Sequence, residues 1–313
     1  FDLDLTCDVI DGGEDPDGDA VTLEYSWQEN GVAIAETSDV LSASELTPHA
    51  SYTCTVTASD GVNSNIGSAT VEVRDSCRSV ESSSGGMQVD SNDPALDMGT
   101  SLQEATFEAW IRPQTSNLNQ IIFSKGPASV MGNSDGLDYV MILETDGTLV
   151  FGTGPSTSPS ACDYLFTTDT IEFDRWTHVA FDIDQDAGTK TIWVDGEVFE
   201  TCSGLQNKNP VADGALAIGV NKWSGGSHLP FVGEMDEVRV SSSLRYTAPF
   251  TPDVYPESDA DTALLYHFDE GTGSVVTDTS SNGLDATLIS NATWSGSSSC
   301  NPTRLLAERC ASL

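Results

Sequence analysis

The chain is 313 residues long and carries 49 acidic against 12 basic side chains, a formal charge of -37. That length holds one large or two ordinary domains with cores of their own, and that charge repels a phosphate backbone or an anionic membrane, which excludes nucleic acid as a partner. No apolar run approaches a membrane span, nothing resembles a signal peptide, and the first residue is Phe1 rather than Met, so a processed or excised chain without membrane insertion is expected.

Short alternating runs such as Tyr52–Ala58 and Thr191–Val194 recur throughout, separated by Asp-Gly, Gly-Thr and Ser-rich turns, and no segment keeps a helical period. This is a strand rhythm, and the expected fold class is all-β. The seven cysteines include no CxxC or Cys/His zinc spacing; they point to disulfides, an oxidising compartment and an extracellular or cell-surface location.

Near the N-terminus, Cys7, Trp27 and Cys54 stand in the order of a sandwich whose sheets are bridged by a disulfide packed on a buried Trp. Tyr52, two residues before the second Cys, sits where a tyrosine corner belongs. With the loop Asp15-Pro-Asp-Gly-Asp19 and the run Val21–Gly31, residues 1–75 resemble the bacterial and archaeal immunoglobulin-like or cadherin-like repeats of surface proteins. The resemblance implies an immunoglobulin-like sandwich and a Cys7–Cys54 bridge. It also implies that Asp15, Asp17, Asp19 and Asp60 project from one end, either as ligands of a calcium ion or as plain polar turns. Only six residues precede Cys7, where the family has a further strand. A missing or short first strand leaves a sheet edge open to a neighbouring chain, one route to self-association.

A polar, Ser- and Gly-rich break at Asp75–Ser84 marks the expected domain boundary, giving domains at 1–75 and 76–299 and a tail at 300–313. In the second domain, Asp146-Gly147 and Asp195-Gly196 read as tight hairpins, and Ser241–Arg245 as a one-turn helix. Ala105–Pro113, Ile121–Gly126, Trp176–Phe181, Ile192–Glu197, Gly233–Val240, Phe268–Gly273 and Asp278–Asp285 appear in the order found in the laminin-G-like branch of the concanavalin A-like jelly rolls. The domain resembles that family from Cys77 to about Ser299, departing from it at Met87–Asp90, where the usual Asp-Asp-Tyr is absent. The resemblance implies two stacked sheets with Phe107, Trp110, Trp176 and Phe181 in the core or on a sheet face. It also implies a structural calcium ion held through Asp236 and the loop of Asp278, Asn282 and Asp285, with an Asx turn and a capping carboxylate as the alternative.

For a ligand, Trp223 in the polar loop Asn221–His228 is the candidate: an indole in a Gly-rich loop stacks on a sugar face while Asn221 and His228 bond hydroxyls, although such a Trp also packs back on its own sheet. Tyr139 is a weaker companion. Catalysis is not expected. Glu234 and Asp236 alternate as in β-glucan hydrolases, but the next position is Val238, Glu237 faces away, and the four histidines are scattered. Cys162 with Cys202 is an expected bridge of this domain; for Cys300 the resemblance implies Cys77, since the termini of such jelly rolls lie together, with the local Cys310 as the alternative, and the first pairing leaves Cys310 free for an intermolecular bond. Asn291-Ala-Thr293 fits a glycosylation acceptor. The reading is an extracellular, calcium-dependent binding or adhesion protein recognising carbohydrate or a surface partner. The alternatives are a structural subunit of a surface layer or fibre and, more remotely, a polysaccharide hydrolase.

Overall fold

The computed structural model describes residues 4–7, 9, 20–47, 50–73, 79–89, 93–97, 102–126, 138–154, 162–206, 214–221 and 229–295. Among them there is no α-helix, only two short 3-10 turns between strands. Two compact units divide the chain, Phe1–Cys77 and Arg78–Ser299.

The first unit contains β1 (Leu5–Thr6), β2 (Thr22–Glu29), β3 (Val32–Ala33), β4 (Val40–Leu41), β5 (Ala50–Ser59) and β6 (Ser64–Val73). A four-stranded sheet runs β3-β2-β5-β6, and β1 pairs separately with β4. Strict alternation in β5 sends Ala50, Tyr52, Cys54 and Val56 inward, where they pack with Leu5, Trp27 and Leu41. The Cys7–Cys54 disulfide ties the two sheets together. Trp27 Nε1 donates to the Ser38 carbonyl at 2.9 Å, and the buried Tyr52 hydroxyl accepts from Thr47 N at 2.8 Å while facing Glu29 Oε1 and the Glu45 carbonyl. Both aromatic polar atoms are therefore satisfied, as burial requires. Asn30 and Gly31, with φ of 49° and 78°, make the tight turn between β2 and β3.

The second unit contains β7 (Val80–Ser82), β8 (Gly86–Val89), β9 (Glu104–Pro113), β10 (Gln120–Lys125), β11 (Tyr139–Leu143), β12 (Thr148–Thr153), β13 (Tyr164–Thr170), β14 (Thr177–Asp184), β15 (Thr189–Val194), β16 (Glu197–Ser203), β17 (Leu216–Ile218), β18 (Gly233–Ser241), β19 (Thr262–Tyr266), β20 (Val275–Val276), β21 (Ala286–Ile289) and β22 (Thr293–Trp294). One sheet runs β13-β12-β11-β10-β17-β8-β21-β20, the other β16-β15-β14-β9-β18-β7-β22 with β19 also beside β18. Every described pairing is antiparallel, and the core between the sheets takes alternate residues from both, including Phe107, Phe123, Met141, Phe151 and Phe181. The Asp-Gly hairpins join β11 to β12 and β15 to β16.

The outward residues of β9, β14 and β18 are buried as well, because residues 242–261 cross the outside of their sheet as an irregular strap. Trp110 Nε1 donates to the Asp253 carbonyl at 3.0 Å, Arg245 N to Thr106 Oγ1 at 3.0 Å and Phe250 N to the Gly196 carbonyl at 3.0 Å. A Cβ on Gly196 would lie 1.8 Å from the Phe250 carbonyl oxygen, so the strap passes only over glycine. The helix expected at Ser241–Arg245 does not form: Ser241 ends β18, and Ser242 N is taken by the Asp261 carbonyl at the foot of the strap.

Candidate functional site

The sequence candidates fall into separate places. Trp223 and His228 lie outside the described residues, but the stems of their loop are fixed. Asn221 is buried, Ser124 Oγ donates to the Val220 carbonyl, Ile121 N to the Leu229 carbonyl at 3.1 Å, and Phe231 N to the Gly219 carbonyl at 2.7 Å. β17 belongs to one sheet and β18 to the other, and Leu229 lies beside the start of β10. Tyr139 pairs with Lys125 at the opposite end of β10, so the structure does not bring it to the Trp223 loop. Its side chain is 0 % exposed, tilted against Phe107 at 4.6 Å, with its hydroxyl donating to the Leu96 carbonyl. Tyr139 is a core residue with no surface for a ligand.

The carboxylates expected to hold calcium in this unit are occupied by N–H and O–H donors. Asp278 accepts from Leu265 N, Ser280 N and Leu284 N at 2.8 to 2.9 Å and from Ser280 Oγ at 2.7 Å. Asp285 Oδ1 accepts from Asp278 N, and the Asn282 amide donates to the carbonyls of Thr262 and Ala263. A hard cation needs these lone pairs directed at itself, so the Asp278 loop as folded does not fit one; it has the geometry of an Asx turn. Asp236 is buried, with Oδ1 accepting from Glu237 N. In the first unit, Asp60 accepts from Val62 N and Asn63 N, and Asp15, Asp17 and Asp19 lie outside the described residues. Among the described residues, no three His, Cys, Asp or Glu side chains are grouped to hold a metal.

The alternation of β18 breaks at Glu237, which adopts φ of 48° in a bulge. Its carboxylate turns to His267 Nδ1 at 2.6 Å. The bulge returns Arg239 to the outer face, opposite Glu108, at 2.6 Å from its Oε1. Glu234 bonds Arg112 and Ser79. Glu108 also accepts from Tyr246 at 2.5 Å and contacts His178 Nε2 at 3.1 Å. Burial pushes its carboxyl up, but the His178 hydrogen bond and the Arg239 charge outweigh it and lower it to about 2. Nearby Asp182 accepts from Thr106 Oγ1 and Trp193 Nε1. There burial dominates those two bonds, and with the Glu108 charge alongside it raises the carboxyl to about 7. Sequence pattern missed this whole network. Its members are polar residues on what reads as a solvent face, and the strap that buries them is distant in sequence.

Two disulfides are formed among the described cysteines, Cys7–Cys54 and Cys162–Cys202. Cys202 lies within β16 and Cys162 just ahead of β13. Cys77, Cys300 and Cys310 fall outside the described residues.

Residues 82–247, more than half of the chain, match the family model described as the concanavalin A-like lectin/glucanases superfamily. The chain belongs to this superfamily. No curated protein matches it. Among solved structures, this concanavalin A-like chain is similar to a protein from Bacteroides ovatus to which carbohydrate binding is provisionally assigned, with 19 % identity, a TM-score of 0.55, and coverage of 94 % of this chain and 82 % of that one. It is also similar to a heptameric pentraxin of Limulus polyphemus, with 14 % identity, TM-score 0.47, and 72 % and 97 % coverage. The sialyllactose-bound carbohydrate-binding module of the Ruminococcus gnavus IT-sialidase follows, with 14 % identity, TM-score 0.42, and 55 % and 95 % coverage. At these identities the likeness is one of fold.

Proposed function

We propose that this is an extracellular carbohydrate-binding protein whose concanavalin A-like unit carries the site and whose first unit is an immunoglobulin-like spacer. The observation that carries the reading is the superfamily match over residues 82–247 on a two-sheet sandwich. Fold alone does not name a ligand, so the site is argued from chemistry. Trp223 follows buried Asn221 in the sequence, between the hydrogen-bonded backbone at Gly219 and Val220 and that at Leu229 and Phe231, and an indole offers a flat apolar face to a sugar ring. The spacer reading rests on the Cys7–Cys54 bridge, buried Trp27 and the satisfied Tyr52 hydroxyl. The extracellular reading rests on the two disulfides.

Binding without catalysis is proposed because the acidic residues of β18 and the neighbouring strands are committed elsewhere: Glu234 to Arg112, Glu237 to His267, and Glu108 and Asp182 beneath the strap. The test is binding of the full chain to a glycan and polysaccharide array in millimolar calcium and in chelator, with molar mass recorded on the same sample. Specific binding lost in Trp223→Ala is expected. Release of reducing ends from the bound polysaccharide would overturn the non-catalytic reading. No binding by a folded, self-associating sample would favour a structural subunit instead. Loss of binding in chelator would make the binding calcium-dependent without locating the ion.

A further inference from the structure

Lys125 ends β10 with its side chain 0 % exposed, and two carboxylates approach it: Asp97 Oδ1 at 2.5 Å and Asp138 Oδ2 at 3.7 Å, their side chains 7 % and 0 % exposed. The backbone fixes all three. Asp138 N donates to the Lys125 carbonyl at 2.9 Å across the β10–β11 pair. Asp97 arrives from the β8–β9 connection on the 3-10 turn Pro94–Leu96, where the Asp93 side chain caps Ala95 N and Asp97 N bonds the Pro94 carbonyl. Leu102 N in turn bonds the Asp97 carbonyl, and fully buried Leu96, Leu102 and Tyr139 supply an apolar setting.

A buried ammonium ordinarily gives its protons to well-aligned acceptors, since an ion pair in a dry site survives only with its hydrogen bonds made. Lys125 Nζ does not: close as it is to Asp97 Oδ1, the two atoms are not aligned as donor and acceptor, and Nζ makes no hydrogen bond. A short N···O separation without that alignment also places the lysine nitrogen within reach of the carboxyl carbon.

We propose that Lys125 and Asp97 are joined by an intramolecular isopeptide bond, with Asp138 as the proton carrier. Transfer of one proton from the ammonium to the adjacent Asp97 carboxylate gives an amine and an acid. The Nζ lone pair attacks Asp97 Cγ and the C–N bond forms. Asp138 takes a proton from Nζ and delivers it to the Asp97 hydroxyl, the C–O bond breaks, and water leaves. One lysine hydrogen and one carboxyl hydroxyl are lost, nothing is oxidised or reduced, and Asp138 is regenerated. Fixing amine and acid side by side supplies an effective concentration on the order of 10⁵ M or more, and a sealed apolar site favours expulsion of the water. The product is a covalent tie between the β8–β9 connection and β10.

The deciding experiment is the intact mass of the full chain, denatured and with disulfides reduced, followed by digestion with a lysine-specific protease. Expected are a mass one water below that of the sequence, no cleavage after Lys125, and a branched peptide joining the Asp97 and Lys125 segments. A sequence mass with cleavage after Lys125, or a water deficit mapped to another residue, overturns the proposal, and neither result depends on a variant that must fold. Asp138→Ala is expected to restore the sequence mass; a persisting branched peptide in that variant would remove Asp138 from the step.

Discussion

Two carboxylates on one outer sheet face, Glu108 and Asp182, are both raised by burial yet end on opposite sides of their ordinary values, because their partners differ. Glu108 faces Arg239 and His178 and stays ionised down to about 2. Asp182 has only a hydroxyl and an indole as donors and holds its proton to about 7. The consequence for stability follows from which state binds the proton. Because the Asp182 value in the folded protein lies above its ordinary 3.8, its contribution is complete below about pH 4 and is lost as pH rises to about 7. The loss is on the order of 4 kcal/mol, at about 1.4 kcal/mol per tenfold change in proton affinity. Glu108 behaves in reverse, its contribution being lost only as pH falls from 4.5 toward 2. Between pH 5 and 8 the Asp182 slope therefore stands apart from that of Glu108. Urea midpoints of the wild type should fall across that window, while those of Asp182→Asn, which titrates no proton there, should fall less and exceed wild type at pH 8. Parallel pH responses of the two proteins would show that Asp182 is ionised throughout.

At the scale of elements, the segment from β19 to β21 is organised by Asp278, whose carboxylate takes N–H bonds from Leu265 on β19, Ser280 and Leu284. Removing it leaves three backbone donors without their acceptor, and unsatisfied buried groups cost about 1–3 kcal/mol each. Asp278→Ala should therefore lower the unfolding free energy by roughly 3 kcal/mol or more, equally in calcium and in chelator. A deficit seen only in calcium would mean that the loop holds the ion after all. Elements of this kind were partly legible in advance. Asp-Gly hairpins and alternation are local signals, and Cys7, Trp27, Tyr52 and Cys54 declare a bridged sandwich through their order and spacing alone. What could not be read is what comes from far along the chain. The strap that buries Trp110 and Trp193 begins more than forty residues beyond the latter, and the Glu237 bulge is invisible to a period of two. Lys125 reads as the polar end of a strand until Asp97 and Asp138 are placed around it. The candidate site was legible as a residue type in a loop, Trp223, but not as a geometry.

For the whole molecule, the charge of -37 lies mainly at the surface, since few of the 49 acidic residues are among the buried side chains of the described residues. Lys125, Arg239, Arg245, Arg112 and Arg175, out of 12 basic residues, are spent on acidic partners within the fold, and buried Lys190 bonds the carbonyls of Phe151 and Asp163. The exterior is left with many carboxylates and few cations to separate them. Self-repulsion of that kind opposes the compact state, and it is a long-range effect, so mobile ions weaken it: the screening length shrinks from about 10 Å at 0.1 M salt to about 3 Å at 1 M. The buried pairs, out of contact with solvent, are screened far less. Sodium chloride should therefore raise the unfolding temperature, steeply at first and then levelling off below about 1 M as the screening length becomes shorter than the spacing of surface carboxylates. Thermal scans of the full chain across that range check it. A flat or falling unfolding temperature would mean that the buried and bidentate ion pairs, rather than the surface charge, set the electrostatic balance of the fold.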